Sequence, residues 1–329
     1  MKKYKVGIIG CGAVLSKHHD AMQANAKQFE LVAVCDIDAK KSADIAKKYG
    51  AIGFSDYKKM LLEMKGNINL IVVASPNGYH YQQAIDALSA GYDILIEKPV
   101  DFSHERVMKI ADLADRLKRN AYAVLQTRYS PQVLLLRAVL EKKLLGEIRS
   151  VSLIQRWQRP ASYFNSWRVD RKIGGRTLFE VGIHYLDIIH SLFGMPTVLS
   201  SAMFNNKHKN IPIEDTIFSL VQYPSSASGS IEVTIAAEPT NLESSISVMG
   251  SNGYIKIEGK ELDTISQVSF LRQSSTSAYV KLGKKYRMPR ISNHCRLYAA
   301  LGRGDGIKVR DAIGSTAFIE EIYKKEVRS

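Results

Sequence analysis

Tyr4-Lys5-Val6-Gly7-Ile8-Ile9-Gly10-Cys11-Gly12-Ala13-Val14-Leu15 is the stretch that decides the fold. Residues 4–9 are mostly apolar and read as a buried strand. A Gly-x-Gly turn follows, then a helical stretch to about Ala26. A second strand, Leu31-Val32-Ala33-Val34-Cys35, ends in Asp36, 24 residues past Gly12. A strand, a glycine turn, a helix and an acid closing the next strand form the layout of a dinucleotide-binding βαβ unit. Gly10 permits the tight turn and Gly12 lets a pyrophosphate approach the helix N-terminus, with Ala13 and Val14 completing the cofactor loop. Asp36 is placed to accept from the adenosine ribose hydroxyls. Its charge repels a 2′-phosphate, so the expected cofactor is NAD rather than NADP. Leu15 replaces the third glycine of the fingerprint, a change that bears mainly on helix–strand packing.

The alternation continues. Asp56 to Met64 reads as a helix, and Asn69 to Ala74 as a strand ending in Ser75-Pro76-Asn77. Tyr79 to Ala90 is helical. Gly91 then punctuates a short apolar strand that ends in Glu97-Lys98-Pro99-Val100, taken as the fourth strand of the sheet. Ser103 is an N-cap for a helix reaching Arg119, and Ala121 to Leu125 is another strand. Strands and helices in alternation imply a parallel, doubly wound sheet, whose carboxyl edge binds ligands. At that edge Glu97 and Lys98 are either an ordinary surface ion pair or a ligand-facing turn made stiff by Pro99. Ser75, Pro76, Asn77 and His80 are either a turn with a cap or a cofactor contact, and their place after a buried strand favours contact.

The pattern changes after Arg128-Tyr129-Ser130-Pro131. A helix is expected from Gln132 to Leu145, ended by Gly146, then a strand Val151–Trp157 and a helix Leu178–Phe193. Period-two runs follow at Val198–Phe204, Thr216–Tyr223, Gly229–Ala236, Ser244–Met249, Tyr254–Glu258 and Val268–Arg272, separated by Gly, Asn, Ser and Pro. Such runs suggest an antiparallel sheet. Ser274–Ser277 reads as a loop and Arg310–Lys325 as a closing helix. The expected fold class is α/β: an N-terminal Rossmann doubly wound parallel sheet over residues 1–126, and a C-terminal α+β domain with an open, mostly antiparallel sheet over 127–329. The C-terminal helix is free to pack back on the first domain.

At 329 residues the chain is too long for one typical core. Its 45% hydrophobic and 24% charged residues are those of a globular protein. No apolar run approaches a membrane span and no signal-peptide pattern precedes the first strand, so the cytoplasm is expected and a membrane partner is not. Cys11, Cys35 and Cys295 have no metal-ligand spacing, which suits a reducing compartment and gives no reason to expect a metal. The net charge is +14, with 18 basic against 14 acidic residues through residue 125 and 28 against 18 beyond. Between Arg149 and Arg176 seven basic residues (Arg149, Arg156, Arg159, Arg168, Arg171, Lys172, Arg176) meet one acid, Asp170. Arginines concentrated near a pocket favour an anionic ligand. No nucleic-acid recognition motif accompanies the charge, and no such partner is expected.

Gly10-Cys11-Gly12, Cys35-Asp36, Ser75-Pro76-Asn77 with His80, Ala90-Gly91, Glu97-Lys98-Pro99, Gln126-Thr127-Arg128-Tyr129, and Gly174-Gly175 followed by Glu180, Gly182, His184 and Asp187 together carry a resemblance. Over nearly its full length the chain resembles the glucose–fructose oxidoreductase / inositol dehydrogenase / MocA (Gfo/Idh/MocA) family. The resemblance implies that Lys98 sits beside the nicotinamide and the reacting hydroxyl, and that His184 is an acid/base or hydroxyl ligand. Glu180 stands where the family commonly has Asp, one helical turn before His184. Its longer side chain moves the carboxylate relative to the family position. Arg128 is the family's cleft arginine, in contact with cofactor or substrate, unless it pairs with a surface acid. Asp187 lies near substrate in the family, and otherwise ties down a loop. Glu97 orients Lys98, touches the cofactor or shapes the loop. Tyr129, Trp167 and Arg168 complete the implied substrate set. Trp157 and Trp167 each read equally as core or as pocket wall.

The implied activity is NAD-dependent oxidation of a secondary hydroxyl on a sugar, cyclic polyol or sugar derivative, or its reverse. Many members pair through the exposed sheet face, so a homodimer or homotetramer through the C-terminal sheet is expected. Tyr163 to Arg168, then Gly174-Gly175, looks like the segment of members that oxidise UDP-N-acetylglucosaminuronate at C3. A UDP-sugar (uronate) 3-dehydrogenase of surface-polysaccharide synthesis is therefore the narrower alternative. An NAD-dependent glycosidase and a non-catalytic NAD-sensing regulator are the others.

Overall fold

The first strand runs from Tyr4 to Ile9 (β1), and helix α1 follows at Leu15–Ala24. β2 (Phe29–Cys35), α2 (Ala39–Tyr49), β3 (Ile52–Phe54), α3 (Tyr57–Glu63), β4 (Leu70–Val73), α4 (His80–Ser89), β5 (Asp93–Ile96), α5 (His104–Arg116) and β6 (Ala121–Ala123) continue the alternation. This is a computed structural model, and it describes residues 3–327. The six strands form one parallel sheet in the order β3-β2-β1-β4-β5-β6. The chain leaves β1 toward β2 and β3 and returns to β4 on the other side, so the switch point lies between β1 and β4. Every residue of β4 and β5 is buried. Each apolar side chain so covered stabilises by about 1.5–3 kcal/mol, which locks the register of the central strands and hence where their ends emerge.

The strand carrying Ile94–Ile96 is therefore the fifth in chain order, not the fourth. The extra strand, β3, is only three residues long and lies at an exposed edge, so it lacks the apolar run that marks β4. α2 precedes it. Asp38 caps that helix by accepting from Lys41 N–H, and Gly50 ends it in the left-handed region at φ +68°.

Beyond residue 126, α6 (Pro131–Glu141) and β7 (Ile148–Arg156) lead to a π turn at Leu178–Gly182 that runs into α7 (Ile183–Phe193). A single α-helix was expected over 178–193, but its first turn is wider and carries Glu180. Strands β8 (Thr197–Phe204), β9 (Thr216–Gln222), β10 (Ser228–Thr234), β11 (Glu243–Gly250), β12 (Gly253–Glu258) and β13 (Thr264–Phe270) complete a seven-stranded sheet, β13-β12-β11-β7-β10-β9-β8. Only β7 and β10 pair in parallel, and the other neighbours are antiparallel. Leu153, Ile231, Ile246 and Ile257 are buried on one face. The other face exposes Phe218 and Leu220.

β13 lies earlier than the expected Val268–Arg272 because it is an edge strand with almost no buried residue and no apolar alternation. Ser274–Ser277 is not a loop but the start of α8 (Gln273–Lys285). Its serines mask the pattern, yet Ser275 and Leu282 are buried, and Asn252 Nδ2 donates to Ser275 Oγ at 2.9 Å. α9 (Asn293–Arg303) follows, capped by Ser292 and closed by Gly304 at φ +90°. The closing helix is a 3-10 turn, Val309–Ala312, and then α10 (Ile313–Lys324).

The chain forms two compact units. One comprises the described residues up to Gln126 with Lys172–Gly174 and Ile291–Thr316, and the other comprises Thr127–Arg171, Gly175–Arg290 and the described residues from Ala317 onward. α9 thus belongs to the unit with the parallel sheet, where it packs on α1. Among the described residues no helix is long and apolar enough to cross a membrane.

Candidate functional site

In the first unit the expected cofactor residues emerge along one edge of the parallel sheet. Gly10 sits at φ +104°, and a Cβ there runs into the Ala74 carbonyl and Ser75 nitrogen. Only glycine lets the β1–α1 loop lie this close to the end of β4. Its N–H donates to Cys35 O at 2.8 Å, which ties the loop to β2. A Cβ on Gly12 meets nothing within 4 Å, so that side of the loop is open. Ala13 and Val14 lead into α1, which has no side-chain cap and no acid in its first turn. Leu15 N–H donates to Gly12 O at 3.1 Å and Lys17 N–H to Val14 O at 3.0 Å, and the positive end of the helix dipole lies at this loop, a setting that favours a phosphate. Leu15 is buried, filling the space that a third glycine would leave to the strand.

Asp36 Oδ2 accepts from Cys11 N–H at 2.9 Å and meets Lys41 Nζ at 3.1 Å, and Oδ1 accepts from Asp38 N–H at 3.1 Å. Burial opposes ionisation, but these bonds outweigh it and hold the carboxyl below its ordinary range. A carboxylate offers about four acceptor sites, so capacity remains for a ribose hydroxyl. The open Gly12 side, the uncapped helix end and the ionised Asp36 fit a dinucleotide.

The loops after β4 and β5 are braced together. Asn77 is buried, and its Nδ2 donates to Gly174 O at 3.1 Å, while Gly78 N–H donates to Ile173 O at 2.8 Å. Ser75 Oγ donates to Gln83 Oε1 at 2.6 Å. The fully buried His80 ring stands between Ser75 O (2.9 Å) and Pro99 O (2.8 Å). Burial pushes its pKa down, and a neutral imidazole has one N–H, so it donates to one of the two at a time. Pro76 precedes this turn, and the Lys98–Pro99 peptide bond is cis.

Glu97, for which three roles were open, is anchored inward. Its Oε1 accepts from His18 Nε2–H at 3.1 Å, since a carboxylate only accepts. Its Oε2 accepts from the Lys98 backbone N–H at 3.1 Å. The Tyr298 hydroxyl, on α9, meets His18 Nδ1 at 2.9 Å, and His294 Nε2 lies 4.0 Å from Glu97 Oε1. Burial raises the Glu97 carboxyl, but the His18 bond and the fields of His18, His294 and Lys98 prevail and bring it to about 2. Burial pushes His294 down to about 4, against the pull of Glu97. His18, His294 and Tyr298 were not foreseen. The signal for His18 was there: it shares the buried face of α1 with Leu15 and Met22.

In the second unit Arg128 and Asp187 are joined. Arg128 Nε donates to Asp187 Oδ2 at 2.7 Å, and Nη2 to Oδ1 at 2.6 Å. The fork uses both oxygens of a carboxylate that is 2% exposed. Tyr129 follows Arg128 in the same 3-10 turn. Glu180 Oε1 accepts from Tyr163 O–H at 2.6 Å and from Arg168 Nε at 2.9 Å. The Arg168 guanidinium lies over Trp167, 4.5 Å from the ring centre, and over Tyr163 at 4.8 Å. His184 is in the first turn of α7, three residues before Asp187, so these two share one side of that helix, and Glu180 lies four residues earlier in the π turn. Trp157 is buried, its Nε1–H donating to Ser244 Oγ at 2.7 Å. Among the described residues no group of three His, Cys, Asp or Glu is placed to hold a metal.

Residues 4–124 match the model described as the oxidoreductase family with an NAD-binding Rossmann fold, and residues 133–256 match the GFO/IDH/MocA C-terminal domain. The chain belongs to the Gfo/Idh/MocA oxidoreductase family. Among curated members it is 32% identical to the D-glucoside 3-dehydrogenase of Escherichia coli, over 60% of this chain and 56% of that protein. It is 30% identical to the glucose-6-phosphate 3-dehydrogenase of Bacillus subtilis, over 57% of this chain and 53% of that one. The chain thus spans about half the length of the curated relatives it matches. The crystal structure of the WlbA dehydrogenase from Bordetella pertussis, in complex with NADH and UDP-GlcNAcA, matches with a TM-score of 0.87 at 26% identity, covering 98% of this chain and 95% of that one.

Proposed function

We propose that the protein is an NAD-dependent dehydrogenase acting on a secondary hydroxyl of a sugar, a cyclic polyol or a sugar derivative. The observation that carries this reading is the open Gly12 loop with ionised Asp36, on the same sheet edge as the braced Lys98 turn, in a chain of an oxidoreductase family. NAD, when bound, supplies the hydride acceptor. Gly10, Gly12, Ala13, Val14, Asp36 and the Ser75–Asn77 turn hold it. Lys98 is the donor that holds the reacting oxygen, and His184 takes its proton during oxidation. Glu180 in the π turn and Asp187 on α7 lie on either side of His184 in the chain, and both are engaged by arginines, so their role is to fix this segment rather than to exchange protons. Tyr129, Trp167 and Arg168 contribute to the substrate wall.

A narrower reading, a UDP-sugar uronate 3-dehydrogenase, is favoured by the likeness to WlbA, whose structure holds UDP-GlcNAcA, and by the arginines of 149–176. Phe218 and Leu220 on the open sheet face support a homodimer or homotetramer through that sheet. Three free cysteines suit a reducing cytoplasm.

The test is equilibrium binding of NAD and NADP, followed by a panel of sugars with NAD while NADH is monitored. NAD binding and net NADH accumulation are expected. Absence of any nicotinamide dinucleotide binding sinks the reading. Substrate consumption without net NADH points instead to a glycosidase that returns its cofactor oxidised.

A further inference from the structure

Seven basic residues crowd 149–176, and their surroundings differ. Arg156 is forked on Glu232 at 2.6 and 2.7 Å and also meets Glu243. Arg168 is paired with Glu180. Arg176 is paired with Glu214 at 2.8 Å and lies over Tyr323. Arg149, Arg171 and Lys172 are exposed. Arg159 differs from all of these. Its Nε is buried, and among the described residues it has no acceptor and no carboxylate pairs with the side chain. Its one hydrogen bond runs from Nη1 to Gln158 O at 2.8 Å.

The side chain is nonetheless held in place. The guanidinium lies 4.7 Å from the centre of the Trp157 ring and 5.2 Å from that of Tyr163. Both rings are themselves fixed, Trp157 by Ser244 and Tyr163 by Glu180. The backbone is tied down too, with Arg159 N–H donating to Ile235 O at 3.0 Å. A guanidinium has five N–H donors in a fixed fork, and here four of them have no acceptor among the described residues. Ring faces attract a cation but accept no hydrogen bond in its plane, so they orient the charge without neutralising it. A cation removed from part of its water, pre-oriented and without a counter-charge is complementary to an incoming anion.

We infer that Arg159 is an anion-reading residue of the second unit and that the substrate carries a carboxylate or phosphate group bound there. The inference rests on the sugar-dehydrogenase reading for what that anion is attached to. It separates Arg159 from Arg168, which has the same aromatic setting but whose charge Glu180 already answers.

The chain has two tryptophans, Trp157 under Arg159 and Trp167 under Arg168, so intrinsic fluorescence reports on this cluster without any need for turnover. The NAD-saturated full chain is titrated with D-glucose, D-glucuronate, D-glucose 6-phosphate, UDP-glucuronate and inorganic phosphate. At least one anionic sugar is expected to bind well above D-glucose, and which one does so separates a carboxylate from a phosphate site. Arg159→Gln is expected to weaken that binding about tenfold to a hundredfold, the loss of a charged hydrogen-bonded fork, and to leave D-glucose within about twofold. Arg159→Lys keeps the charge and the fold but not the fork, and is expected to fall between the two. Equal binding of charged and neutral sugars by the wild type overturns the inference, as does an Arg159→Gln variant that binds anions normally or loses neutral sugar in equal measure. Binding of inorganic phosphate with no response to any sugar keeps the anion site and overturns the sugar reading. Silence toward every probe overturns the anion site.

Discussion

Glu97 at the end of β5 and His18 on α1 meet at 3.1 Å, side chain to side chain and out of water, across 79 residues of chain. The same carboxylate holds the Lys98 backbone N–H, so the bond beneath the turn and the bond that shapes it share one group. Glu97→Ala is expected to cost about 3–5 kcal/mol in urea unfolding, because it strands both donors in the interior. Glu97→Gln, which keeps an acceptor, is expected to cost less. Equal losses from the two variants would show that bulk, not hydrogen bonding, fills the site.

The same cluster sets two acid windows. His294 is kept neutral in the fold, with its pKa lowered from 6.5 to about 4. Between those values the unfolded chain binds more protons, so stability rises with pH and is lost as pH falls from about 6.5 to about 4. Glu97 is lowered from 4.5 to about 2, so its contribution is present above about 4.5 and is lost as pH falls toward 2. His294→Asn is expected to reduce the upper slope, to which the buried His80, His190 and His208 also contribute, and to move the lower one less, since His294 is only one of the groups that lower Glu97. Urea midpoints across pH check this, and an unchanged upper slope would exclude His294 as its source.

Arg128 and Asp187 form a closed, forked pair in the second unit. Arg128→Met is expected to destabilise by about 3–5 kcal/mol, since it takes the fork from the buried Asp187 carboxylate, and Asp187→Leu is expected to destabilise as well. The double variant is expected to be more stable than the sum of the two losses implies. Additive losses in a double-mutant cycle would mean that the pair is not coupled.

Gly10 and Gly12 separate folding from binding. Gly10→Ala is expected to destabilise the protein, because the added carbon strikes the Ala74–Ser75 backbone just past β4 at a φ that L-residues avoid. Gly12→Ala meets open space, so thermal stability is expected to hold while NAD affinity falls. Paired thermal melts and NAD titrations distinguish the two positions.

For the proposed reaction, Lys98→Met and His184→Asn are each expected to lower turnover by about 10²–10⁴-fold. NAD affinity is expected to stay within about threefold, because the contacts assigned to the cofactor remain. Stopped-flow NADH formation alongside cofactor titration reads both, and a loss confined to NAD binding would remove these residues from the chemistry.

What was legible in the sequence followed local, repeated patterning. β4 and β5 are buried on both faces, so their runs stand out, and the Gly-x-Gly turn with Asp36 belongs to one short βαβ unit. β3 and β13 lie at edges and bury little, which leaves no alternation to read. The serines opening α8 hide a helix whose buried positions are few. Lys98, His184, Glu180 and Arg168 were picked out as residue types in a motif. The pairing of Glu180 with Arg168 and Tyr163 was not, because it depends on an irregular loop. Tyr298 was least accessible: its partner His18 lies 280 residues earlier, and no spacing rule links them.

That separation has a consequence for synthesis. The unit with the parallel sheet takes α9 from near the end of the chain, so when the first 126 residues leave the ribosome their sheet can form but the Tyr298 side of His18 cannot. Until residues 127–292 have also been made, that unit lacks the α9 side of the pocket behind Glu97. The Lys98 turn is therefore among the last places to become rigid, and a chain cut short before α9 keeps its nucleotide fingerprint but not the brace behind it.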